Sequence, residues 1–136
     1  MSGASRYEDL IVWRLSKQLQ VGVIALTATG PASRDFKFRD QIRDSAASAA
    51  RNIAEGFGRG GDAEFAAFLR IARGSLTETH NSLRDGRDRG YFTDVQTDTL
   101  QFLAGRAAKA ASELIRYLES PAADAHRKGR PPRRSR

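Results

Sequence analysis

Between Pro31 and Pro121 the chain contains no proline, and its apolar residues recur there at three- and four-residue spacing. Proline removes a backbone donor and fixes φ, so its exclusion from periodic segments marks them as continuous helices. Four such segments are legible. The first, about 7–26, carries Leu10, Trp13, Leu15, Leu19, Val23 and Leu26, and ends at Thr27-Ala-Thr-Gly30-Pro31. The second, about 35–57, carries Phe38, Ile42, Ala46, Ala49 and Ile53. The third starts with Asp62 as a candidate N-cap and carries Phe65, Leu69, Ala72, Leu76 and Leu83, with Phe68 beside them. In the fourth, Thr93-Asp-Val-Gln96 has the form of a capping box, in which the Thr hydroxyl and Gln amide satisfy two helix-start donors reciprocally. Its stripe runs from Leu100 through Leu103, Ala107, Ala110 and Leu114 to Leu118.

Four amphipathic helices with short connections pack most simply up-down-up-down. The expected fold is all-α, an antiparallel up-down four-helix bundle over residues 1–119. Residues 120–136 hold Pro, Gly and Arg with little that is apolar, so a disordered basic tail is expected. Six basic residues against Asp124 alone give this tail +5 of the total formal charge of +7. The high pI is therefore a property of the tail, and the body is nearly balanced.

Several functions are disfavoured. Without cysteine there is no disulfide, thiolate site or cysteine nucleophile. No apolar run approaches the roughly 20 residues of a membrane span. The first residues lack the apolar stretch of a signal peptide, so the expected location is the cytoplasm. Gly56-Phe-Gly-Arg-Gly-Gly61 matches the dinucleotide fingerprint in letters, but a helix precedes it where a strand is required. It reads as a helix end followed by a turn. Of the two histidines, His126 lies in the tail, and His80 stands roughly 200° around a helix from Glu78, which does not build a metal site. No nucleophile has a base beside it. No enzyme, metal or cofactor is expected.

Two constellations remain. Gln41, Ser45, Ser48, Asn52 and Glu55 on the second helix, with Ser75 and Glu78 on the third, form a candidate polar network. Folding back near Arg59 sets Gln41 opposite Glu78, and Ser45 opposite Gly74 and Ser75. A close helix contact at Ala46 and Gly74 follows, as does a destabilising effect of Gly74→Leu. Such a network specifies register or a subunit contact rather than catalysis. The second constellation is basic: Arg39, Arg43, Arg51 and Arg59 on the second helix, and Arg127, Lys128, Arg130, Arg133 and Arg134 in the tail. Arginine suits bidentate phosphate contacts.

Tyr7-Glu-Asp-Leu10-Ile-Val-Trp13, Gln41-Ile-Arg43, Asn52-Ile-Ala-Glu-Gly56 and Gly74-Ser75-Leu76-x-Glu78 occur in this order. Together they resemble the bacterial "four helix bundle protein" family. That family includes proteins encoded in intervening sequences of 23S ribosomal RNA genes and relatives of the accessory variability determinant of diversity-generating retroelements. The resemblance implies a ring-shaped homopentamer and, for the retroelement members, binding of RNA or DNA and of a reverse transcriptase. Two positions depart from the family pattern. Ala49-Ala50 stands where the family has Ile-Pro, and Arg43-Asp44 where it has paired arginines. The expected role is thus a non-enzymatic oligomeric accessory protein that binds structured nucleic acid. The alternative is a protein-interaction scaffold with no nucleic-acid binding. Trp13 is the residue expected at a subunit contact.

Overall fold

The computed structural model describes residues 4–127. Six α-helices follow one another: α1 (Ile11–Leu26), α2 (Gly30–Arg34), α3 (Phe36–Gly58), α4 (Asp62–Asp88), α5 (Asp94–Leu118) and α6 (Pro121–Arg127). No strand occurs among the described residues. The long helices α1, α3, α4 and α5 pack in a cycle, each against the next and α5 back against α1. This is the expected helical bundle.

The elements start and stop for local reasons. Tyr7–Asp9 form a single 3-10 turn, and Leu10 then turns extended, with φ −78° and ψ 131°, before α1 begins. The first helix is therefore shorter than its apolar pattern, because Leu10 leaves the helical path and its side chain is buried at the end of the bundle. The Gly30-Pro31 pair ends the first segment and also opens the one-turn helix α2, with Pro in the first turn, where its missing N–H costs nothing. Asp35 caps α3 by accepting from the Phe38 amide. The α3–α4 turn needs only residues 59–61, with Gly60 at φ +90°, a conformation that penalises a Cβ. Asp62, the expected N-cap, is instead the first residue of α4, and Gly61 takes the cap position. The capping box of α5 is formed: Gln96 N donates to Thr93 Oγ1 at 3.1 Å, and Thr93 N to Gln96 Oε1 at 2.9 Å.

Residues 121–127, expected to be without structure, form α6. Pro121 stops α5 and starts the next turn, and Ala123 is buried, at 1% exposure. That apolar contact is what the arginine-rich composition concealed. The remaining tail positions, including Lys128, Arg130, Arg133 and Arg134, lie outside the described residues.

The expected single core divides into two clusters along the bundle axis. One gathers Leu19, Val23, Phe38, Ile42, Leu76 and Leu83 around the α2 end. The other gathers Val12, Ile53, Phe57, Phe65, Leu69 and Leu114 around the α3–α4 turn. Ala110 packs against both.

A polar tie closes the α2 end. Asp35 Oδ2 accepts from Tyr91 Oη at 2.6 Å and from Arg89 at 3.3 Å, and Arg89 also donates to Asp85. The Tyr91 hydroxyl, the Phe38 amide and the Arg89 charge hold the Asp35 carboxyl below the usual carboxylate range. The same bond from Asp35 holds the Tyr91 phenol above its ordinary value. Linkage fixes the signs. The stabilisation is present above the ordinary Asp value of 3.8 and is lost as pH falls through the depressed value. On the alkaline side it is present below 10.0 and is lost as pH rises through the raised Tyr91 value. Tyr91→Phe is therefore expected to lower the urea midpoint at neutral pH. The gap to wild type should shrink both in strong acid and above pH 10. A pH-independent gap would assign the effect to packing of the ring alone.

Candidate nucleic-acid interface and the interhelical polar seam

The polar residues of α3 and α4 meet as a seam, one helical turn away from the expected register. Ser45 Oγ bonds Thr79 Oγ1 at 2.8 Å, and Ser48 Oγ bonds Ser75 Oγ at 2.8 Å. Ser45 was expected opposite Gly74 and Ser75. Side chains lean toward the N-terminus of their own helix, so in an antiparallel pair contacts fall beyond the levels set by counting from the turn. Asn52 Nδ2 extends the seam to Ser48, donating to its carbonyl at 2.8 Å and its hydroxyl at 3.0 Å. Thr79, absent from the expected network, is fully buried within it. Its position three and seven residues beyond Leu76 and Ala72 was the available signal.

Other expected members do not join. Gln41 and Glu78 are both exposed, and Glu55 instead pairs with Arg59 at 3.1 Å. Gly74 is exposed too, and a Cβ built there would meet nothing within 4 Å, so it is no contact point. On α3 and α4 the close approaches are at Gly56, where a Cβ would lie 2.5 Å from Phe68 Cβ, and at Gly86, where it would lie 2.3 Å from the Phe92 ring. Gly56 and Gly58 sit inside the end of α3 and Gly60 and Gly61 in the turn after it, so the letters of the dinucleotide fingerprint mark a helix end and a turn, as expected. The seam hydroxyls bond one another, an amide and helix carbonyls. They align two helices and offer no base to a nucleophile.

The helix arginines are more committed than their spacing suggests. Arg43 Nε donates to Thr27 Oγ1 at 2.8 Å, and its second nitrogen reaches the Ile24 carbonyl, so Arg43 ties down the C-terminus of α1. Arg39 is held by Asp40 and by the Ser33 carbonyl. Arg59 pairs with Glu55 and Glu64 and lies over the Phe68 ring. Arg51 is exposed with no ion pair. Of Arg127 the structure describes the helix position only.

Cations without an ion pair appear elsewhere as well. Lys17, Arg34, Lys37, Arg84, Arg106, Lys109 and Arg116 are all exposed. On the acidic side, ion pairs among the described residues engage ten carboxylates, from Glu8–Arg6 to Glu119–Arg70, while Asp44, Glu78, Asp98 and Glu113 have none there. A shallow groove of about 410 Å³ runs along α1 between Trp13, Arg14, Lys17, Gln18 and Val21. Trp13 is half-buried, edge-on to Tyr7 at 5.4 Å. Ile11, Val21, Ile24, Val95 and Phe102 remain exposed on α1 and α5.

Fold and surface together define an all-helical bundle with a structural polar seam and a largely charged exterior. No helix among the described residues is long and apolar enough to cross a membrane. Residues 8–113 match the model of the 23S rRNA-intervening sequence protein family, and the chain belongs to that family. Among solved structures, it is similar to a protein of unknown function from the S23 ribosomal protein family of Bacteroides thetaiotaomicron VPI-5482. The identity is 22%, the TM-score is 0.69, and the match covers 81% of this chain and 100% of that one. That likeness supports the bundle fold. No curated protein matches the chain.

Proposed function

We propose that this protein is a non-enzymatic, homo-oligomeric accessory protein that binds structured nucleic acid by its phosphates. The observation that carries this reading is the imbalance left after ion pairing. Among the described residues eight exposed cations have no ion pair, because Arg59, Arg87 and Arg89 each hold two carboxylates, and the sequence adds five more basic residues beyond residue 127. The surplus is spread over several helices, which suits non-specific backbone contact better than reading of base edges. Subunit symmetry multiplies it, since each copy brings one tail and one set of helix-face cations. Arg51 is the member of the α3 series freest to contribute. Arg39, Arg43 and Arg59 would first have to leave their present partners.

The test is a titration of labelled hairpin RNA at several salt concentrations. Binding should weaken steeply with salt, because each neutralised phosphate releases counterions. Removing residues 128–136 should flatten that slope, by about 0.7–0.9 per lost contact. The cut belongs after 127 because Ala123 anchors α6 on the bundle. No binding at low salt would leave the scaffold reading in possession. Binding indifferent to salt would show that the contact is not electrostatic.

A further inference from the structure

Phe36 opens α3 with its side chain 64% exposed, and it belongs to neither core cluster. One face of the ring lies under the Arg39 guanidinium, 4.8 Å from Cζ to the ring centroid. Arg39 is itself fixed, by Asp40 Oδ1 at 3.0 Å and the Ser33 carbonyl at 3.2 Å. The ring is thus backed on one face by a held cation while most of the residue stays open to solvent.

The charges around it are arranged unequally. The two acids nearest in sequence already have partners: Asp35 takes the Phe38 amide, Tyr91 and Arg89, and Asp40 takes Arg39. Arg34 and Lys37, on either side of Phe36, are exposed and have no ion pair. Phe102 offers a contrast. It is 65% exposed and also has an arginine near its face, Arg106 at 5.9 Å. One turn before it, however, stands Asp98, a carboxylate with no ion pair, which would repel a phosphate.

We propose that Phe36 is a stacking platform for single-stranded nucleic acid. An unpaired base lies on the open face of the ring, and Arg34 and Lys37 take the flanking phosphates. Stacking on an aromatic ring tolerates any base and requires that the base be out of a duplex. The proposal rests on the nucleic-acid reading above and adds the form recognised, an unpaired segment beside the duplex.

The experiment uses the full chain with two labelled probes, an oligouridine of about a dozen nucleotides and a blunt RNA duplex. Phe36→Ala is expected to weaken oligouridine binding about tenfold and to leave duplex binding near the wild-type value. Phe36→Leu should behave like the alanine variant, because it keeps apolar area without a π-face. Phe36→Trp should restore binding, and Phe102→Ala should not change it. If the wild type binds both probes and Phe36→Ala binds oligouridine equally well, the platform is wrong while the nucleic-acid reading stands. If the wild type binds neither probe, that reading fails and takes the platform with it. If Phe36→Ala changes the sedimenting mass, Phe36 lies between copies of the chain, which overturns the proposal.

Discussion

Gly86→Leu is expected to destabilise the bundle by about 3 kcal/mol, and Gly74→Leu to leave it unchanged or slightly more stable. The two glycines lie on the same helix, so intrinsic propensity favours the substitution equally at both, by at most about 1 kcal/mol. What differs is space. A Cβ at Gly86 would sit 2.3 Å and 2.5 Å from two Phe92 ring atoms and 2.9 Å from Phe38 Cζ. Those rings pack against each other at 5.8 Å between centroids, and both are buried, so neither can swing aside cheaply. At Gly74 the same atom meets open space. Urea midpoints of the two variants provide the comparison. Equal midpoints would mean that the Phe38–Phe92 corner repacks freely and that this end of the core is loosely specified.

That pair of glycines also marks what the sequence made legible. The long helices were readable from their apolar period and their terminal breakers, and for α5 the cap agreed as well. The Thr93–Gln96 box is the clearest instance, since both hydrogen bonds implied by the letters form. The core residues of α3 and α4 were likewise readable, because every position of the 3.6-residue stripe from Phe38 to Leu83 that was named as core is buried. The register between those two helices was not. Counting from a turn treats residues as points on an axis, whereas contact depends on the lean of each side chain. One turn of error moved Gly74 into the interface and Thr79 out of it. A glycine also reads identically whether it admits a neighbouring ring, as at Gly86, or faces water.

The candidate site was less legible, for a related reason. Composition counts arginines but does not say which are already bound. Arg43 looked like a phosphate contact one turn from Arg39, yet a threonine sixteen positions earlier occupies its Nε. The cations left without ion pairs on α5, such as Lys109 and Arg116, attracted no notice because no cluster of letters surrounds them. Short helices were missed by the same logic. The five residues of α2 and the seven of α6 are too few to show a period, and among the described side chains each buries one alanine, Ala32 or Ala123.

Val21→Glu combined with Ile24→Glu is expected to reduce the proposed oligomer to a 15.0 kDa monomer with undiminished helix content. Val21 is 57% and Ile24 43% exposed, and neither belongs to a core cluster, so the change removes little internal packing. Both lie on the outer side of α1, beside the groove that starts at Trp13. The helix carries Arg14 and Lys17 but no acid, so the new repulsion within α1 is only that between the two introduced carboxylates, three residues apart and worth about 0.2–0.5 kcal/mol, and the one at position 21 stands one turn from Lys17. Any loss must then come from burying two carboxylates against another copy, which costs several kcal/mol per uncompensated charge. Nucleic-acid affinity should fall with the mass, by tenfold or more, because contacts that act at high effective concentration in a ring become independent in a monomer. Sedimentation velocity at micromolar protein, with circular dichroism alongside, reads the outcome. A wild type that already sediments as a monomer removes the oligomer from the proposed function. A variant that keeps the wild-type mass moves the subunit contact off α1, and Phe102 and Val95 on α5 become the side chains to change next.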